Sequence, residues 1–304
     1  MVNIDTPYIY RIGGFNLNVL LNTEKLVIDK RSGSYPFLIN NSEFVNTDLS
    51  ISFTFKNNIE TFTHLPSFTV RSFGEHQTPY EWNVYEEGKE FVVIVNVDDN
   101  PFTNKIKVVF NLADKFVKVE MQLIEDPGSV VFDPFFQPVG SILLTYLVHH
   151  EGGIMLHSSG VKDGNSGYVF TAVSGTGKST MAGLWQSVGG KIINDDRLIL
   201  MPGEDGVVMT NTPMPYYQDV YKESPVTAIL LIKQSPENYL KPLSGAAGVA
   251  GLMANCIQFL YDKEMVKKHM VSLTAIAERC PIYEVGFKPD TEIVEIIRSE
   301  FGRE

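Results

Sequence analysis

The segment AVSGTGKS at positions 172 to 179 constrains the fold more than any other stretch of the chain. It lies between an apolar run, GYVFTAV (167 to 173), and a segment in which Met181, Leu184, Trp185 and Val188 recur at helical spacing before Gly189. A buried strand, a glycine-rich turn and an amphipathic helix are therefore expected in immediate succession. Glycine accepts positive φ, so Gly175 and Gly177 can turn successive backbone N–H groups inward as an anion nest. The free N–H groups and positive end of the following helix face the same point.

The pattern G-x-x-x-x-G-K-[ST] is matched except at its first position, where Ala172 stands. Alanine is compatible with strand and helical angles, so it disturbs the loop only if that position demands positive φ. A strand end does not demand it. Lys178 then offers an ammonium to the β- and γ-phosphates of a nucleotide, and Ser179 offers a hydroxyl to Mg²⁺. The candidate nucleotide-binding residues are Ser174, Gly175, Thr176, Gly177, Lys178, Ser179 and Thr180. The bland alternative is a chance Gly/Ser turn.

Asp195 and Asp196 lie in NDDR, between the apolar runs KIIN and RLILM. After a phosphate loop, one carboxylate of such a pair can hold Mg²⁺ while the other takes a proton. Taken alone, Asn-Asp-Asp reads as a hairpin turn. His157, in HSSGV, lies on the strand before the loop strand and by itself reads as an ordinary half-buried histidine. His64, His76 and His269 stand isolated, and His149 and His150 end a helix expected over 134 to 150, where cations suit the C-terminal dipole.

The remainder sets the frame. Over the first 125 residues the pattern is that of strands: FVKVEMQL (116 to 123) alternates with period two, as does ISFTF (51 to 55), and EFVVIVNV (90 to 97) is β-branched. After EDPGS the character changes to strand–loop–helix order, with PVTAILLIK (225 to 233) as a buried strand and helices over 245 to 261, 263 to 279 and the closing PDTEIVEIIRSEF. The expected domains are thus a β-rich region of unknown role at 1 to 128 and an α/β nucleotide-binding domain at 129 to 304. A net charge of −11 disfavours non-specific binding to nucleic acid or an anionic membrane. No apolar run spans a bilayer and no export signal is visible, so the cytoplasm is the expected location. Cys256 and Cys280 read as structural thiols rather than a disulfide.

The histidine, the loop and the acidic pair in this order resemble the HPr kinase/phosphorylase family, which is allied to ATP-dependent phosphoenolpyruvate carboxykinase. The interval from His157 to Lys178 is 21 residues and from Lys178 to Asp195 is 17, similar to the family's spacing. The resemblance implies an α/β fold with a P-loop-containing kinase domain of that type behind a β-rich N-terminal domain. It also implies ATP, or another nucleoside triphosphate, with Mg²⁺ as cofactors, and phosphoryl transfer to a serine-type hydroxyl. Asp195 would be the general base, Asp196 and Ser179 would face the metal, and His157 would polarise the phosphate or orient Asp195. The expected partners are a nucleotide and a hydroxyl-bearing peptide, protein or small-molecule acceptor, with no nucleic acid and no membrane; a homo-oligomer is left open. The alternative from another class is a catalytically idle nucleotide-binding or scaffold module.

Overall fold

The computed structural model describes residues 8–39, 46–71, 80–88, 90–97, 100–125, 128–214, 218–258 and 262–302. The chain is a mixed α/β protein, rich in sheet and sparing in helix, that divides into two compact units. One holds Met1–Leu143 with Pro213–Val220, and the other holds Leu144–Thr212 with Tyr221–Glu304. His76 lies outside the described residues.

In the first unit the strands are β1 (Tyr8–Ile12), β2 (Phe15–Leu21), β3 (Leu26–Ile28), β4 (Leu49–Lys56) and β5 (Phe68–Arg71). They are followed by β6 (Tyr80–Glu87), β7 (Glu90–Val97), β8 (Thr103–Asn111), β9 (Phe116–Leu123) and β10 (Val130–Phe132). Eight of them form one sheet in the order β1-β2-β4-β9-β8-β7-β6-β5, while β3 and β10 pair separately. Alternation in β9 is realised as expected: Val117, Val119 and Met121 are fully buried, and Lys118, Glu120 and Gln122 are half-buried. The β-branched run of β7 is buried on both faces, and Val92 and Ile94 pack with Ile59 under Phe62 and Tyr85. Residues 213 to 220 join this unit by contact: the Gln218 amide donates to the carbonyls of Lys30 (2.9 Å) and Ser32 (3.0 Å). A Cβ at Gly33 would stand 1.7 Å from the Met214 carbonyl oxygen, so this approach requires glycine.

Helix α1 (Val139–His150) spans the division between the units. It begins five residues later than its apolar pattern suggests, because Pro134 and Pro138 interrupt the helical ladder. The second unit continues with β11 (Ile154–Asp163), β12 (Ser166–Thr171), α2 (Lys178–Ser187), β13 (Lys191–Gly203), β14 (Gly206–Asn211) and β15 (Glu223–Pro225). It closes with β16 (Ala228–Gln234), β17 (Tyr239–Leu243), α3 (Ala246–Met253), β18 (Cys256–Ile257), α4 (Lys263–Arg279), β19 (Ile282–Phe287) and α5 (Glu292–Phe301). The helix expected over 245 to 261 is thus the shorter α3 followed by a two-residue strand beside β11.

The second sheet runs β15-β14-β13-β11-β12-β16-β19-β17, with β12, β16 and β19 parallel and the flanking pairs antiparallel. Its two faces are covered by different helices. Met181, Ala182 and Trp185 of α2 and Ile293, Val294 and Ile297 of α5 pack on Phe170, Leu230 and Val285. On the other face, Leu252 of α3 and Leu273 and Ile276 of α4 pack on Ile154, Leu156 and Leu198. The Arg298 guanidinium grips Asp163 through Nε (2.8 Å) and a terminal nitrogen (3.0 Å), tying α5 to the β11–β12 hairpin.

Two sequence expectations about histidine are corrected. His149 is no cation at a helix end: burial, and then His269, lower its pKa to about 3, so it is neutral. His269 is not isolated, since its ring lies 4.5 Å from that of His149. Cys256 and Cys280 are free thiols, and burial pushes both up to about 12. Among the described residues no helix is long and apolar enough to cross a membrane.

Trp185 is fully buried, its ring 4.7 Å from Tyr168, and holds α2 to the sheet. Trp185→Ala is expected to cost the second unit about 3–5 kcal/mol, read as a lower urea midpoint. A loss under about 1 kcal/mol would contradict this packing.

Candidate functional site

The glycine loop joins the carboxyl end of β12 to the amino end of α2, beside the parallel strands β16 and β19. In open α/β sheets that edge is where ligands are bound. Gly175 and Gly177 have φ of 79° and 115°, the left-handed angles that turn backbone N–H groups together. Ala172 has no such angle: among the described residues Lys115 is the only non-glycine with positive φ. Its methyl group is instead buried in the core under α2. The alanine therefore follows the last residue of the strand and leaves the left-handed angles of the turn to the glycines.

Lys178 is the first residue of α2 and is only 8% exposed. Its ammonium donates to the carbonyls of Ala172 (3.0 Å) and Val173 (3.3 Å). Among the described residues it makes no ion pair, although the carboxylates of Asp196 and Asp195 act on it electrostatically. Burial outweighs them and lowers its pKa. Ser174, Gly175, Ser179 and Thr180 are exposed, and Thr176 and Gly177 half-buried, so the loop opens to solvent around a buried cation. The Thr176 hydroxyl closes the turn on the Val173 carbonyl (3.0 Å).

Asp195 and Asp196 are not in a hairpin turn. They sit inside β13, a continuous strand of 13 residues, with Ser159 opposite Asp195 and Ser158 opposite Asp196 on β11. Ser158 also lies opposite Thr171, the last residue before the loop, so one row across three strands leads from the loop to the acidic pair. The Ser159 hydroxyl donates to Asp195 Oδ1, and Arg197 Nε pairs with Asp196 Oδ2 at 3.0 Å. Asn194 fixes the local backbone, its Oδ1 accepting the N–H of Asp196 at 2.9 Å. A shift in register between Gly160 and Val161 lies just beyond, where bulges re-aim side chains.

His157 stands opposite Arg197, half-buried. Its pKa is lowered by burial first and by Lys178 next, against the pull of Asp196, which favours the neutral ring. His157, Lys178, Asp195 and Asp196 thus share one electrostatic neighbourhood. Ser159, Asn194 and Arg197 are the additions that sequence reading missed. Their only signal was adjacency, in HSSGV and NDDR. Among the described residues no group of three or more His, Cys, Asp or Glu has a metal-holding arrangement.

No protein-family model matches this chain, and no curated protein matches it in sequence. Among solved structures, the Hpr(Ser) kinase/phosphatase from Coxiella burnetii is similar over 48% of this chain and 95% of that one, with 8% identity and a TM-score of 0.29. A likeness at that score carries no argument about activity.

A Cβ at Gly177, where φ is 115°, would stand 3.0 Å from Phe287 Cζ. Gly177→Ala should destabilise the loop by about 1–3 kcal/mol, whereas Ala172→Gly should change the affinity for any nucleotide that the loop holds by less than tenfold. Chemical denaturation and calorimetric titration read the two. A tenfold gain for Ala172→Gly would show that the alanine impairs the natural loop.

Proposed function

We propose that the loop at 172 to 179 holds the phosphates of a nucleoside triphosphate and that the chain transfers a phosphoryl group from it to a serine-type hydroxyl. One observation carries the reading: a buried ammonium with only carbonyl partners, between two left-handed glycines and a helix amino end. A buried ammonium bonded only to carbonyls, with Asp195 and Asp196 acting on it from beyond bonding distance, is left open to a closer counter-charge, which a phosphate tail would supply. Lys178 would move from the carbonyls of Ala172 and Val173 to the phosphate oxygens, and Ser174 to Thr180 would line the tail. ATP is the expected donor.

The acidic pair suits transfer rather than storage. The Ser159 hydroxyl occupies one oxygen of Asp195 and fixes its orientation, leaving the other to accept a proton from the acceptor hydroxyl. A neutral His157 can donate one hydrogen bond, either to a phosphate oxygen or to a carboxylate. Ser179 and Asp196 offer the hydroxyl and carboxylate oxygens that Mg²⁺ prefers, and the ion when bound would neutralise phosphate charge. The acceptor is proposed only as a hydroxyl on a peptide, small protein or metabolite.

The pairing of Arg197 with Asp196 favours a second reading, an idle nucleotide-binding module, because it already engages the carboxylate assigned to the metal. Substitution separates the two. Asp195→Asn keeps the shape but cannot accept the proton, and should leave MgATP affinity within about threefold while turnover falls about 10²- to 10⁴-fold. Asp196→Asn should instead weaken Mg²⁺-dependent binding. Ser159→Ala should lower turnover with little effect on affinity. Turnover is read as ATP hydrolysis in the absence of a known acceptor. Wild type that binds MgATP without any transfer, and that Asp195→Asn matches, would establish the idle module.

A further inference from the structure

We propose that the cavity beside the turn of the β11–β12 hairpin is a binding site for a small organic phosphate, separate from the glycine loop. Its volume of about 650 Å³ falls within the roughly 300–1,000 Å³ of small-molecule sites. Three lysines from separate stretches of the second unit line it: Lys162 of β11, Lys191 of β13 and Lys222 just before β15. Among the described residues Glu223 is the one acidic group in its wall, and it accepts a hydrogen bond from the Tyr221 hydroxyl at 2.8 Å.

The sheet register forces the lysines together. Lys162 and Lys191 are direct cross-strand partners, so their side chains rise from one face side by side, and like charges placed opposite each other destabilise a strand pair. Among the described residues neither makes an ion pair or a side-chain hydrogen bond. Lys222 stands beside them, its Nζ donating to the carbonyl of Ile192, next to Lys191, at 3.1 Å. Three ammoniums against one carboxylate reverse the local sign in a chain of net charge −11. Two neighbouring negative groups are already engaged. Arg298 holds both oxygens of Asp163, and it donates to the Val188 carbonyl at the carboxyl end of α2 (3.4 Å).

A ligand with closely spaced negative charges would offset the repulsion between Lys162 and Lys191. Lysine acts on phosphate oxygens as a compact point charge, whereas the arginine fork matches planar carboxylates, and no arginine lines the cavity among the described residues. The site is also apart from the loop. Ser158 faces Thr171 at the loop end of the hairpin, and Lys162 faces Gly167 four residues further along, about 13 Å away. The proposal therefore stands whether or not the loop binds a nucleotide.

The test is calorimetric titration of the full chain with pyrophosphate, at physiological salt and without divalent cations. Lys178→Ala, which removes the cation of the loop, should still bind it. Adding Lys162→Gln and Lys191→Gln to that variant should weaken binding at least tenfold. Adding Lys267→Gln and Lys268→Gln instead, which removes the same charge from the exposed face of α4, should change it less than threefold. Citrate, with carboxylates in place of phosphates, should bind at least tenfold more weakly than pyrophosphate. If the paired change at Lys162 and Lys191 prevents folding, exposed Lys191→Gln alone should weaken binding threefold or more. The proposal is overturned by Lys178→Ala that binds no pyrophosphate, by unchanged affinity after the changes at Lys162 and Lys191, by an equal loss from the α4 pair, or by citrate bound as tightly.

Discussion

The candidate site depends on the double pairing of β11. This strand is bonded to β12 along one edge and to β13 along the other, which places the last residue before the glycine loop and the acidic pair in one row through Ser158. Neither Lys178 nor Asp195 could be positioned by its own segment alone. The loop is anchored because β12 is buried between antiparallel β11 and parallel β16, and Asp195 is anchored because Ser159 reaches it from β11. Where a sheet supplies the rigid frame, a flexible turn can present a cation without losing its register.

Electrostatics then gives the site its direction. The chain carries a net charge of −11, so the proposed phosphate would approach against the overall field. On that proposal the groups that would offset it are the left-handed N–H groups of Gly175 and Gly177, the amino end of α2, and the buried ammonium of Lys178. Asp195 and Asp196 lie close enough to act on that ammonium without bonding to it. Burial lowers the pKa of that ammonium, the two carboxylates oppose the shift, and its hydrogen bonds go to backbone carbonyls. Arg197 pairs with Asp196 and offsets part of the negative charge beside the loop.

What was legible in the sequence was what depends on neighbours along the chain. Alternation gave β9, the β-branched run gave β7, and the spacing of Met181 and Trp185 gave the buried face of α2, because each is a local period imposed by one-sided burial. The apolar run at 167 to 173 gave β12 for the same reason, though the strand ends at Thr171, two residues short of it. What was hidden depends on partners far apart in sequence. Asn-Asp-Asp has the composition of a turn, and only pairing with β11 makes it the interior of a strand. His269 looked isolated because its neighbour, His149, is 120 positions away. Helix α3 stopped short of its apolar pattern because the following residues pair with β11 instead.

The central claim is that the buried ammonium of Lys178 awaits a phosphate. Calorimetric titration of wild type and Lys178→Ala with ATP and Mg²⁺ tests it most directly. Loss of a charge-assisted bond to the phosphates should cost about 2 kcal/mol or more, a fall in affinity of about thirtyfold. Wild type that does not bind the nucleotide, or a variant that binds it equally well, would contradict the account.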